Sequence, residues 1–181
     1  LIEVPMGITL REVISIYAKG MKDNVSFKLV QTGGSSGSIV PASLQDVPMD
    51  FESYRRAGVS LGSGALLICD EHTCVVDLAK VLMQFFRFEC CGKCTPCRVG
   101  TQTSYDILSR IAQGNAKLAD LDELQRIGES MELLSNCGLG QTASTAVRDI
   151  LKHFRAEVEA HIRLGVCPTG VCPMEKTPVA I

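Results

Sequence analysis

"ECCGKCTPCRVG", residues 89–100, places four of the chain's nine cysteines within eight positions. Thr95 is a good helix N-cap, and Pro96 then falls at the first helical position, where its missing N–H is not needed. A helix is therefore expected from Thr95 to Gly114. Cys97 sits in its first turn and Cys94 and Cys91 precede it at two-residue gaps, with Cys90 offering a competing register.

Outward from this stretch the period is helical. "CVVDLAKVLMQFFRF" (74–88) has a narrow polar stripe of Asp77, Lys80, Gln84 and Arg87, and "DEHT" (70–73) offers caps. Nearly every other position is apolar, so this helix should be covered on most sides. A third helix is expected from Leu121 to Ser135, with Leu121, Leu124, Ile127, Gly128, Met131 and Leu134 on one face. A fourth should run unbroken from near Thr142 to Gly165, carrying Ala146, Val147, Ile150, Leu151, Phe154, Val158 and Ile162. Short connections make the four an antiparallel bundle over residues 67–165, followed by a Cys/Pro-rich tail, 166–181.

Residues 1–66 read differently. "LIEVP" (1–5) is a short strand, "TLREVISIYAKG" (9–20) a helix capped by Thr9 with Leu10, Val13, Ile14 and Tyr17 as its apolar stripe, and "VSFKLVQ" (25–31) alternates like a half-buried strand. "TGGSSGS" (32–38) breaks it, "SIVP" (38–41) is another strand, and turns continue to "GVSLGSG" (58–64). The fold class is therefore α+β, a small α/β domain ahead of a helical bundle.

The chain's 181 residues carry 18 basic and 20 acidic side chains, net −2, which leaves no footprint for nucleic acid and no polybasic membrane patch. "VLMQFFRF" (81–88) is too short to span a bilayer, so direct membrane insertion is not expected. With no initiator Met and no signal peptide, the chain reads as a piece of something longer. An odd cysteine count with adjacent and two-apart members points to metal ligation in a reducing compartment, hence a cytoplasmic location.

C-x2-C-x2-C lets the chain turn about a compact object and supply three corners of a [4Fe–4S] cluster. Cys137, in the glycine-bearing loop "NCGLGQT" (136–142), is the candidate fourth ligand, because antiparallel second and third helices return that loop to the start of the second. A bare C-x-x-C can also be a redox dithiol or half of a zinc site, but structural zinc more often uses two separated pairs. The helix dipole favours an anionic Cys97 by only about 0.3–1 kcal/mol, so a metal must hold that thiol ionised. Lys93 and Arg98 can offset a negative cluster, and Gly92 and Gly100 leave it room.

"ECCGKCTPCRVG" followed by "NCGLGQT" resembles the cluster-binding end of the flavin- and NADH-binding subunits of complex I, NAD(P)-linked [FeFe] hydrogenases (the bifurcating type included) and NAD-dependent formate dehydrogenases. Glu89, Cys91, Gly92, Cys94, Pro96, Cys97, Arg98 and Gly100 match the family run, and Cys90 stands where that run usually has Ser. The resemblance leaves Cys90 over and makes Cys91, Cys94, Cys97 and Cys137 the ligand set. "EVPMGITLREVI", "TGGSSGS" and "GVSLGSGALLICDE" resemble the family's β-grasp-like, soluble-ligand-binding domain. "DEHTCVVD" and the Cys-rich tail look closer to the bifurcating or NADP-reducing hydrogenase type than to complex I. The resemblance implies a relay from the FMN of an N-terminal NAD(P)H-binding domain, which this chain does not carry, to iron–sulfur clusters of a partner subunit. FMN and NAD(P) would then be bound by the parent and not by this part of it, and the part alone would not be catalytic.

A second metal site is readable at the other end of the bundle. Cys74 opens the first helix and His161, Cys167 and Cys172 close the fourth, an arrangement that suits a tetrahedral Cys3His zinc site. Cys69 can substitute for Cys74 and His72 for His161. The competing reading makes His161 a surface residue and leaves the tail cysteines to a continuation of the chain. Two rival functions stand beside the relay: a zinc-stabilised partner-docking module without redox role, and a ligand sensor using the loop at "TGGSSGS". That loop lacks the Lys-Ser/Thr of a P-loop and is better read as a turn.

Overall fold

A computed structural model describes residues 1–174, and the chain divides into two units, Leu1–His72 and Thr73–Ile181. The far end of the tail, 175–181, lies outside the described residues.

In the first unit Thr9 caps α1 (Leu10–Glu12) through a reciprocal box: Glu12 N–H donates to Thr9 Oγ1 at 3.2 Å and Thr9 N–H to Glu12 Oε2 at 2.8 Å. The helix then widens into a π turn, Val13–Tyr17, in which Ala18 N–H reaches Val13 O. Leu10, Val13 and Ile14 are buried as their spacing predicts, but the extra residue in the turn swings Tyr17 out. The expected strand at residues 1–5 is not formed. Backbone pairing begins only after Pro5, which has no N–H to give, where Gly7 and Ile8 bond to Met49.

Three antiparallel strands form the sheet: β1 (Phe27–Thr32) lies between β2 (Ile39–Pro41) and β3 (Leu66–Asp70), with Val30 opposite both Val40 and Ile68. β3 draws residues 66–72 into this unit, so the division falls after His72 rather than after residue 66. A short helix, α2 (Phe51–Arg56), is capped by Asp50, whose carboxylate accepts from Ser53 N–H at 2.7 Å and Glu52 N–H at 2.9 Å. Its Tyr54 joins Leu10, Val13, Val30, Val40, Met49 and Val59 in the core.

The glycine loop after β1 is structural. A Cβ on Gly33 would come within 2.7 Å of Gly62 Cα, so the two loops cross backbone on backbone. Thr32 Oγ1 donates to Ser60 O, Ser60 N–H donates to Ser38 Oγ at 2.9 Å, and Gly33 N–H donates to Ala65 O at 2.8 Å.

The second unit contains α3 (Val75–Glu89), α4 (Thr95–Ala112), α5 (Ala119–Leu134), α6 (Gly138–Thr142), α7 (Thr145–His153) and α8 (Arg155–Arg163). The expected fourth helix is thus two pieces, α7 and α8, with the short α6 ahead of them. Its main break is at Phe154, with φ −127° and ψ 25°, where no Pro or Gly marks it. Small residues let the helices approach: a Cβ on Gly100 of α4 would meet Met131 Sδ of α5 at 2.5 Å, and one on Gly128 of α5 would meet Ser144 Cβ at 3.1 Å. The inner face of α5 carries Leu121, Leu124, Gly128 and Met131, whereas Leu134 is exposed. α3 buries Val75, Val76, Ala79, Leu82, Met83 and Phe86 but leaves Val81, Phe85 and Phe88 exposed, so it is not covered on most sides within this chain. Among the described residues no helix is long and apolar enough to cross a membrane.

Candidate metal centres

The loop between α3 and α4 turns at Gly92, whose φ of +77° a side chain would disfavour. Cys90 ends α3, Cys94 is the N-cap of α4, and Cys97 is buried in the first turn of α4. Arg98 ties the loop down by donating from Nη1 to Gly92 O at 2.6 Å, so its charge is partly committed to the backbone. Cys137 is the N-cap of α6, on the loop that leaves α5.

The two loops meet. Backbone N–H groups of Asn136, first, and of Cys97 favour the ionised sulfur of Cys94 and lower its pKa. A Cβ on Gly140 would stand 2.9 Å from Cys97 Cβ and 2.6 Å from Ser135 Cβ, so only glycine lets α6 lie against the start of α4. Burial pushes the Cys97 thiol up, and its contact with Cys90 and the charges of Cys90, Cys94 and Cys137 add to the shift. Cys91 and Cys137 are exposed.

Among the described residues Ser135 Oγ is buried without a well-formed hydrogen bond, though it faces Cys94 closely enough to help lower that thiol. A bulky group among the sulfurs would give that hydroxyl an acceptor. The donor set, the glycine clearance and the buried hydroxyl all fit a cuboidal iron–sulfur cluster. The C-x2-C spacing did not point to Ser135 or Gly140; their only signal is their place on either side of Cys137.

The second group is tighter. Cys74 at the N-cap of α3, His161 in the last turn of α8, and Cys167 and Cys172 beyond Gly165 are all buried, with donor atoms within 4.8 Å of one another. Cys74 Sγ is 3.4 Å from His161 Nε2 and 3.4 Å from Cys172 Sγ. Cys172 N–H donates to Cys167 Sγ at 3.4 Å, the chain turning at Gly170 with φ +71°. The Cys74 thiol is lowered, first by its hydrogen bond with Cys172, whose own thiol is raised by the same contact. Burial disfavours a charged His161, but its bonds to Cys74 and the Glu157 carbonyl outweigh that and raise it. The His161 Nδ1 to Glu157 O distance is 2.8 Å, so a proton on Nδ1 leaves the Nε2 lone pair facing the sulfurs. Glu157 also accepts from Val75 N–H at 3.1 Å, fixing α8 to the start of α3. Cys69 lies in β3 and His72 follows it, both in the first unit.

Residues 77–161 match the model of the NADH-ubiquinone oxidoreductase-F iron-sulfur binding region. This stretch, just under half of the chain, resembles the iron–sulfur binding region of that family. Cys90, Cys91, Cys94, Cys97 and Cys137 all fall inside the matched residues, while Cys74, Cys167 and Cys172 fall outside them. The chain is 44% identical over 172 residues to the NADP-reducing hydrogenase subunit HndC of Solidesulfovibrio fructosivorans, covering 95% of this chain and 35% of that one. It is 41% identical over 168 residues to the F 2 subunit of the NADH-quinone oxidoreductase of Rhizobium meliloti (strain 1021), covering 93% of this chain and 40% of that one. A crystal structure of an NAD+-reducing [NiFe]-hydrogenase in the H2-reduced state superposes with a TM-score of 0.78 at 35% identity, over 88% of this chain and 26% of that one. The chain thus spans well under half the length of these relatives. Nothing in these likenesses supports a docking module without redox role.

Proposed function

We propose that this chain is an electron relay built on a [4Fe–4S] cluster held by Cys91, Cys94, Cys97 and Cys137. The observation that carries the reading is the meeting of two sulfur-bearing loops at the start of α4, where Asn136 and Cys97 N–H groups face Cys94 and Gly140 lies against Cys97. When bound, such a cluster accepts and returns one electron at a time. The chain's own residues hold the sulfurs, supply backbone N–H donors and leave Cys91 and Cys137 open to a neighbour.

In the parent protein the electron donor is the FMN reduced by NAD(P)H, and the acceptors are iron–sulfur clusters of a partner subunit, in a soluble, cytoplasmic assembly. The exposed apolar side chains Phe88, Val99, Leu133 and Leu134 lie close in sequence to the cysteine loops and support burial of this end against other protein. Anaerobically purified protein should contain about four irons and four sulfides per chain and give a reducible paramagnetic signal. Retention of full iron by Cys137→Ala would remove Cys137 from the ligand set.

The second group supports a structural zinc ion. Zn–S bonds of about 2.3 Å put tetrahedral neighbours about 3.8 Å apart, which the 3.4 Å contacts and the 4.8 Å ceiling bracket. A cuboidal cluster places its own atoms between the cysteine sulfurs and spreads them farther. Four protein donors leave no open position, so the ion would clip the tail to α3 and α8 without doing chemistry. Lys80, paired with Asp77 at 2.9 Å, is also near enough to Cys172 to feel its charge and can offset the third thiolate. About one zinc per chain is expected; none in protein purified without chelator would sink this reading.

A further inference from the structure

Cys90 is left over by the spacing of the cluster motif, yet its Sγ lies 3.3 Å from Cys97 Sγ. Gly92 N–H donates to Cys90 Sγ at 3.4 Å, which fixes that sulfur at the loop's turn. In a pair of thiols either sulfur can donate. Once Cys97 binds iron as a thiolate it has no proton, and the contact can be a hydrogen bond only if Cys90 S–H is the donor.

We infer that Cys90 is a positioning residue that donates a hydrogen bond from its thiol to the ligand sulfur of Cys97 and thereby raises the reduction potential of the cluster. The inference rests on Cys97 being a ligand. An added electron increases the negative charge on the ligand sulfurs, and a proton held against Cys97 Sγ stabilises the reduced state more than the oxidised one. Hydrogen bonds to sulfur are one of the terms that set such potentials. Cys97 is buried, so water does not readily replace the donor, and the Gly92 N–H directed at Cys90 Sγ occupies one acceptor site on that sulfur.

The test is a potentiometric titration of the iron-loaded chain, followed by electron paramagnetic resonance, on wild type, Cys90→Ala and Cys90→Ser. With iron content unchanged, the midpoint should move to more negative potential in Cys90→Ala and return to or above the wild-type value in Cys90→Ser, whose hydroxyl is the stronger donor. Proton hyperfine spectra should show an exchangeable coupling in wild type and Cys90→Ser that disappears in Cys90→Ala. An unchanged midpoint in Cys90→Ala, or equal shifts in both variants, overturns the inference. If Cys90→Ala fails to retain iron, Cys90→Ser decides: a midpoint at or above the wild-type value supports the inference, and a midpoint below it overturns the inference. Cys97→Ala separates the two levels: full iron retention there removes Cys97 as a ligand and the underlying reading falls, whatever Cys90 does.

Discussion

The two cysteine groups of the helical unit use one kind of side chain in opposite ways. At the N-terminal end of α3 the donors touch one another and are buried; beyond its C-terminal end the cysteines are spread over two loops, with Cys91 and Cys137 exposed. Fifteen residues of α3 separate them, about 22 Å at 1.5 Å per residue. The tight group joins three chain segments otherwise held by packing and by the Val75–Glu157 hydrogen bond, so a metal bound there would serve stability. The open group sits on helices that Gly100, Gly128 and their neighbours already pack, so a metal bound there would serve function.

The largest expected effect breaks the tight group. Cys74→Ala or His161→Ala should destabilise the helical unit by more than about 4 kcal/mol, the range in which loss of a metal site falls, and should release zinc. Denaturant titration and metal analysis check this, and an unchanged midpoint would make the group ornamental. Cys94→Ala or Cys137→Ala should instead abolish most of the iron while circular dichroism keeps the helical content. Unfolding of both pairs alike would erase the contrast.

A smaller effect lies in the glycines. Gly140→Ala forces a Cβ onto Ser135 and Cys97, next to backbone-anchored atoms, and should cost about 1–3 kcal/mol as overpacking and reduce iron retention. Gly100→Ala meets chiefly the thioether of Met131, a flexible chain that can turn aside. It should cost less than Gly140→Ala and leave iron content as it was, which thermal melts with iron assays will show.

Much of this contrast could be read from the chain because both groups lie at helix ends. The two-residue gaps around Thr95-Pro96 fix a local turn, and an up-and-down order brings the start of the first long helix to the end of the last, although Cys74 and His161 are 87 positions apart. The parts that escaped have no local signature. β3 is five residues with no alternation to set it apart from the helix that follows, and α2 announces itself only through Asp50. The break at Phe154 has no residue to mark it, and the π turn follows from how residues 13–17 pack rather than from their spacing. Cys90 is the clearest case. Spacing made it redundant, and only the fold of the loop shows its sulfur against Cys97.

The smallest effect uses the sheet unit as a reference for acid. Asp50 has its carboxyl pKa lowered, chiefly by the Ser53 backbone N–H at the N-terminus of α2, and Asp46 is lowered chiefly by the Arg11 side chain. A folded-state pKa below the unfolded one gives stability that is complete above about pH 3.9 and fades as pH falls through the lower folded value. Asp50→Asn should keep the cap and remove its share of that acid sensitivity. Cysteine and histidine ligands compete with protons well above that range. Zinc release, followed with a metal indicator as pH is lowered, should therefore be complete before the cap at Asp50 is lost. Zinc retained until the cap at Asp50 is lost would overturn this order.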